Sequence, residues 1–328
     1  LPTRQTPGHP PSCALSVIPF SLGHAYRLSS PRHRTAILRH FRGWRVVVEI
    51  ESLAEISSDF DAIVLDQWGV LHNGAVPYPG VPDALTALAA GGARLAVLSN
   101  SGKRAAANAA RIAALGYRRE IFADVMTSGE ALWRDLSAGR FAGIARLYAV
   151  ASRPNDAVQW IAGLDGISLV DVPEDADAIL LMGLSDTQPR GVIVQMLDRV
   201  RARRVPVICS NPDHASPRAG GKIVSSVGAL AKDHERQGGH VTYYGKPHRP
   251  VFEALSRSLD ADPSRLVIVG DSLDHDIAGA QAAGWKTVFV KGGLHADHFA
   301  RGDAVEALTS LVAEKGTPEP DYMINLAR

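Results

Sequence analysis

Between Phe60 and Gly74 the chain reads FDAIVLDQWGVLHNG. Ile63-Val64-Leu65 is a short apolar run, the pattern of a parallel strand buried on both faces. It leads directly into Asp66, and the chain then turns through Gln67-Trp68-Gly69. An acidic residue at the carboxyl end of such a strand stands where open α/β sheets bind ligands. Gly69 lets the backbone approach a ligand closely, so that successive N–H groups can form an anion nest. A carboxylate beside an anion nest is electrostatically costly unless a cation joins it. The combination points to metal-assisted phosphoryl transfer with Asp66 as nucleophile; the plain alternative is a strand followed by a tight turn.

The flanking chain supplies a matching rhythm. A helix is expected over 81–90, closed by Gly91-Gly92, then a strand over 94–98 that ends before Ser99-Asn100-Ser101. A helix over 102–115, a strand at 124–126 and a helix over 129–138 with Thr127-Ser128 as cap continue the alternation. Such βαβα order implies a parallel, doubly wound, Rossmann-like α/β sheet. From about Gly143 a second α/β unit begins, with strands at 147–150, 178–182 and 205–209. Its helix over 190–203 is expected to present Val192, Met196, Leu197 and Val200 on one face. This unit reads as an inserted cap over 142–241, flanked by core segments 49–141 and 242–328; its alternative is more of the same sheet. The first rhythm resumes with a helix over 250–259, strand 266–269, helix 277–283, strand 287–290 and a closing helix over 304–315.

Residues 1–48 look foreign to this scheme. They hold seven arginines and no acidic residue, which leaves 28 basic against 34 acidic residues in the remainder. The segment reads as an over-extended start, a disordered tail or an organelle transit peptide, the first being preferred. The mildly acidic body gives no support for nucleic-acid binding. Cys13 and Cys209 cannot build a disulfide framework, Cys209 has the surroundings of a core thiol, and a reducing, cytoplasmic compartment is expected. No apolar run approaches the roughly 18–20 residues that span a bilayer, so no membrane partner is expected.

Four strand ends carry complementary chemistry. Asp66 is the candidate nucleophile. Ser99 offers a hydroxyl to a phosphoryl oxygen, and Lys246 a compact positive charge to the same oxygens and to the nucleophile. Asp271 and Asp276, with Asp274 nearby, are hard oxygen ligands of the kind Mg²⁺ prefers. Each has a structural alternative: a helix cap for Ser99, a surface lysine for Lys246, a turn residue for Asp271. Three carboxylates within six residues repel one another unless a cation justifies them.

The order of these motifs resembles the haloacid dehalogenase superfamily. Asp66-Gln67-Trp68-Gly69-Val70-Leu71 is similar to its first motif, Ser99-Asn100 to its second, Lys246 to its third, and Gly270-Asp271 with Asp276 to its fourth. The α/β cap between the second and third motifs, Ser210-Asn211-Pro212-Asp213 and Gly245-Lys246-Pro247 look like its type IIA, NagD-like branch. The resemblance implies a Mg²⁺-dependent hydrolase of small phosphorylated metabolites, acting through an aspartyl-phosphate at Asp66. Ser99 and Lys246 would assist catalysis. Trp68, Gly69, Asn100 and Ser101 would frame the phosphoryl group. The metal would lie on Asp66, Asp271, Asp276 and the backbone carbonyl of Trp68. Homo-oligomerisation through the cap is a further implication.

One position departs from the pattern. The superfamily's phosphatases usually carry a second Asp two residues after the nucleophile, where it moves the leaving-group proton. Here Trp68 stands there, and an indole N–H cannot shuttle protons at neutral pH. Dehalogenases with an aromatic residue at this position lack the acidic metal cluster, so dehalogenation ranks low. Alternatives are a weakly catalytic phosphometabolite-binding protein and an enzyme for activated phosphates that need no general acid. His72 is the nearest titratable substitute, although a structural role suits it better.

Overall fold

The computed structural model describes residues 25–29, 35–39, 47–185, 187–217 and 223–328. The larger sheet begins with β1 (Ala25–Ser29), β2 (Thr35–Arg39), β3 (Val48–Glu49), β4 (Ala62–Leu65), β5 (Leu95–Ser99) and β6 (Phe122–Thr127). The chain then leaves it for a smaller sheet of β7 (Arg146–Val150), β8 (Ser168–Leu169), β9 (Ala178–Leu181) and β10 (Val207–Cys209). A short hairpin, β11 (Ala215–Pro217) and β12 (Ile223–Ser225), follows, and β13 (Val241–Tyr243) completes the smaller sheet. The chain returns for β14 (Leu266–Gly270), β15 (Lys286–Val290) and β16 (Tyr322–Ile324).

The larger sheet runs β1-β2-β3-β16-β15-β14-β4-β5-β6, and the smaller one β13-β10-β9-β7-β8. From β3 to β6 every pairing is parallel, as are all pairings in the smaller sheet; β1 and β2 join antiparallel at the edge. From β4 the chain winds outward to β5 and β6 on one side, then returns to β14 on the other. The seam between β4 and β14 is therefore a topological switch point, where doubly wound sheets open a crevice at their carboxyl ends.

Side-chain alternation along β4 explains why the strand is apolar throughout. Ile63 and Leu65 enter one buried cluster with Val97, Val267 and Val269, while Ala62 and Val64 enter another with Leu98 and Ile268. The second cluster also takes Leu147, Trp160, Leu180 and Tyr244 from the inserted unit. Trp160 Nε1 donates to the Gly129 carbonyl at 3.0 Å, so the insertion is fastened to the larger sheet's layer by packing as well as by its two connections.

Several expected elements shift. Ser99 is the last residue of β5, and the following helix starts at Ala105, because 101–104 form a loop. Val192 is 54% exposed; Ile193 takes its place beside Met196, Leu197 and Val200, one position further round the helix. The expected boundary at 241/242 cuts β13, which pairs with β10 in the smaller sheet. Helix 277–283 is shorter, Ala278–Ala282, and a wide turn over Leu273–Ile277 precedes it. Helix Ala304–Lys315 does not close the fold: β16 follows and inserts between β3 and β15. Apart from β1, β2 and the start of β3, the expectations for 1–48, Cys13 among them, lie outside the described residues. No helix among the described residues is long and apolar enough to cross a membrane.

Candidate active site

Two adjacent strands, β4 and β14, bring the three acidic residues together. Asp66 follows β4, and its N–H donates to the Val269 carbonyl on β14 at 2.9 Å. Asp271 follows β14 directly. Asp276 hangs from the wide turn that comes next, where its Oδ2 accepts from the Ser272 N–H at 3.1 Å. One carboxylate oxygen from each of the three lies within 4.8 Å of the others. Lys246 donates to Asp66 Oδ1 at 2.5 Å and to Asp276 Oδ1 at 2.7 Å. Asp274 stays outside; it is half exposed and faces Lys315 at 3.7 Å.

Glycines make room for this cluster. A Cβ on Gly69 would stand 1.7 Å from Asp271 Oδ2, and its φ of +84° already favours glycine. A Cβ on Gly270 would stand 2.2 Å from Asp276 Cγ. Gly69 therefore allows close approach to a neighbouring carboxylate. Its own N–H donates to the His72 carbonyl at 2.9 Å, so the anion nest expected around it lacks that donor.

Burial is the largest influence on two of these acids, Asp66 and Asp271. It pushes Asp66 up to about 7 against the pull of Lys246, with the charge of Asp276 adding to the rise. Asp271 is raised well above the usual carboxylate range by burial first, then by Asp66 and Asp276. One ammonium beside three carboxylates leaves an excess of buried negative charge. A hard divalent cation relieves it, and an all-oxygen donor set at this spacing suits such an ion.

The second motif is held by side-chain hydrogen bonds within the protein. Asn100 Oδ1 accepts from the Lys246 N–H at 2.6 Å, while its Nδ2 donates to the Lys246 carbonyl at 2.9 Å and to Asp213 Oδ1 at 2.7 Å. Its side chain thus clamps the lysine's backbone and a loop of the inserted unit. Ser101 Oγ accepts from Asn108 Nδ2 at 3.0 Å, and the Ser101 N–H reaches Ser99 Oγ at 3.4 Å. Ser99 is buried at the end of β5, beside the strand that carries Asp66. Asp213 and the Leu294 N–H, which donates to Asp271 Oδ2 at 2.7 Å, complete the surroundings and were not among the expected site residues. Their only sequence signals are the turn-forming runs Ser210–Asp213 and Lys291–Gly293.

Trp68 and His72 share one turn. The half-buried indole lies against Gly74, where an added Cβ would stand 3.0 Å from Trp68 Nε1. His72 is 1% exposed, and its Nδ1 accepts from the Gly74 N–H at 2.9 Å. That bond puts the proton of the neutral ring on Nε2, which is buried with no partner among the described residues. Burial, with the nearby positive charge of Arg111, lowers the imidazole from its usual 6.5 to about 4.

A pH prediction follows from His72. An unfolded chain protonates this imidazole near 6.5, the folded one only near 4. Stability is therefore lost as pH falls from 6.5 towards 4, at up to about 1.4 kcal/mol per pH unit. Between pH 7 and pH 5 wild-type protein is expected to lose about 2 kcal/mol that His72→Asn, which keeps an acceptor for Gly74, does not lose. Urea unfolding of both proteins at both pH values measures it; parallel losses refute it.

Known proteins resemble this chain in family and fold. A family model described as haloacid dehalogenase-like hydrolase matches residues 63–159, and one described as HAD-hydrolase-like matches 243–315. Glycerol-3-phosphate phosphatase of Gallus gallus is 26% identical over 276 residues, covering 78% of this chain and 87% of its own. A haloacid dehalogenase-like hydrolase from Brucella suis 1330 superposes with a TM-score of 0.70 at 28% identity, over 85% of this chain and all of its own. The magnesium complex of glycerol phosphate phosphatase Rv1692 from Mycobacterium tuberculosis gives a TM-score of 0.61 at 26% identity, over 84% of this chain and 77% of its own.

Proposed function

The chain belongs to the haloacid dehalogenase-like hydrolases, in their type IIA, NagD-like branch, and from that premise we propose that it is a Mg²⁺-dependent phosphatase of small phosphorylated metabolites with Asp66 as nucleophile. The observation that carries the reading is the cluster of Asp66, Asp271 and Asp276 around Lys246 Nζ. Phosphatase names among the relatives and the magnesium complex of Rv1692 support it.

Attack by Asp66 is supported by the bond from its N–H to β14 and by the hold of Lys246 on one carboxylate oxygen, which leaves the other oxygen for phosphorus. In the first step a carboxylate oxygen forms a bond to phosphorus, and the ester oxygen leaves with its bonding pair. In the second, water attacks phosphorus, phosphate departs, and the Asp66 carboxylate returns. Lys246 offsets negative charge on the phosphoryl oxygens throughout. Asp66, Asp271, Asp276 and the Trp68 carbonyl would hold the cation. When bound, it supplies charge neutralisation and Lewis acidity at the phosphoryl group.

Neither Trp68 nor His72 is suited to supply the leaving group's proton. Trp68 offers only an indole, and His72 is neutral at pH 7 with its Nδ1 engaged by Gly74. This favours, as a second reading, activated phosphates such as acyl phosphates, whose leaving groups depart without protonation.

A screen of phosphorylated metabolites and p-nitrophenyl phosphate, with Mg²⁺ and with EDTA, tests the proposal. Activity is expected with Mg²⁺, with a loss of at least about 100-fold in EDTA and recovery on re-addition of metal. Activity undiminished by EDTA, or no Mg²⁺ binding by calorimetry, counts against it.

A further inference from the structure

The loop after β15 reads Lys291-Gly292-Gly293-Leu294, and it runs from the last strand to the acidic cluster. At its start the Lys291 N–H donates to the Ile324 carbonyl at 2.9 Å and the Gly292 N–H to the Asn325 carbonyl at 2.8 Å, so β16 and the residue after it fix the loop's path. The Lys291 ammonium also pairs with Glu49 on β3. At its far end the Leu294 N–H donates to Asp271 Oδ2 at 2.7 Å, across 23 residues of sequence. The loop thus ties one member of the acidic cluster to the carboxyl-terminal strand.

The contact has no slack. An added Cβ on Gly293 would stand 2.5 Å from Asp271 Cβ, 2.5 Å from its Oδ2 and 2.6 Å from the Gly69 carbonyl oxygen. Gly69 comes as near, since its own added Cβ would stand 1.7 Å from the same Oδ2. Two glycine backbones and one N–H therefore box that oxygen in, while Oδ1 accepts no hydrogen bond among the described residues. A carboxylate pinned by one oxygen cannot swing about its Cβ–Cγ bond, so the other oxygen keeps one direction. Direction matters to a small hard cation, because Mg²⁺ demands near-ideal octahedral geometry with oxygens at about 2.0–2.1 Å. Groups that hold a ligand, without touching the metal, are typically worth about 10–100-fold in its affinity. The Leu294 side chain is 54% exposed, so the main chain of that residue carries the hold.

We propose that Lys291–Leu294 is a positioning loop of the metal site: Gly293 and the Leu294 N–H hold Asp271 Oδ2 and so aim Oδ1 at the cation shared with Asp66 and Asp276. The inference rests on the Mg²⁺ reading above.

Calorimetric titration of Mg²⁺ into the metal-free full chain tests it, with melting of the same metal-free samples as the check on the fold. Leu294→Pro deletes the one N–H and is expected to weaken Mg²⁺ binding by about 10-fold or more. Leu294→Ala keeps the N–H and is expected to bind within about threefold of wild type. Gly293→Ala, which drives a methyl group at Asp271 and Gly69, is expected to weaken binding by about 10-fold or more as well, and it decides the matter where proline upsets the fold. A merely structural loop would lower the melting temperature and leave the affinity of the folded protein alone. Equal affinity in wild type, Leu294→Pro and Gly293→Ala overturns the inference. So does a loss in Leu294→Ala as large as in Leu294→Pro, which would put the side chain in the place of the N–H. Wild-type protein that binds no Mg²⁺ overturns the metal reading itself, and the inference with it.

Discussion

Mixed with p-nitrophenyl phosphate and Mg²⁺, the protein is expected to release a burst of nitrophenol of about one equivalent per active site and then to turn over slowly, while an alkyl phosphate reacts poorly from the start. Two half-reactions suffer unequally when position 68 moves no proton. Forming the aspartyl-phosphate needs little protonation of a weakly basic leaving group. Hydrolysing it needs a base to activate water, and the intermediate is the same for every substrate. Trp68→Asp is expected to speed the alkyl substrate by up to roughly 10²–10⁴-fold, the usual worth of general acid–base help. The indole packs beside Gly74, so its removal leaves a void in the turn that also holds His72. Trp68→Asn makes a similar void without a titratable group, and the difference between the two variants isolates the proton. Rapid-quench kinetics decide the matter. Brisk wild-type hydrolysis of alkyl phosphates with no burst and no gain in Trp68→Asp would sink the idea.

Asp66→Asn is expected to abolish turnover, by roughly 10⁶-fold if it behaves as nucleophile losses do elsewhere. The fold should survive. Burial raises the Asp66 carboxyl to about 7, so near pH 8 without metal the wild-type site holds an ionised group that its surroundings oppose, and an amide relieves that opposition. Lys246 keeps Asp276 as partner at 2.7 Å. The metal-free variant is therefore expected to melt no lower than metal-free wild type at pH 8, while losing the thermal shift that Mg²⁺ gives the wild type. Residual activity above about 1% of wild type would remove Asp66 from the nucleophile's role.

Much of the scaffold was legible because it is local. Ile63-Val64-Leu65 announces a doubly buried strand, and an acid placed just beyond it has one address in a doubly wound sheet. Such reasoning singles out Asp66, Asp271 and Asp276, with Lys246 beside them, and the structure brings the four side chains together. What escaped was set by distance or by phase. The Asn100–Asp213 bond joins residues 113 apart, and no pattern within either segment encodes it. Val192 and Ile193 are equally apolar, and the helix's phase against the smaller sheet decides which is buried. Gly69 reads in the sequence as a residue that lets a ligand come close, and the group that stands against it in the structure is the Asp271 carboxylate. Tyr322-Met323-Ile324 is too short to show a period, so β16 had no signature apart from its apolar content.

That strand has a consequence for how the molecule is made. β3, with β1 and β2 beyond it, touches the rest of the larger sheet through β16, which is wedged between β3 and β15. A ribosome delivers β1, β2 and β3 first and β16 after every other strand. Throughout synthesis the early strands have no edge to join, and they must wait beside a sheet whose last rung is missing. The keystone arrives when some 270 residues separate it from the strand it locks in place, a loop closure whose entropic cost grows only slowly with length but whose contacts are among the least local in the chain.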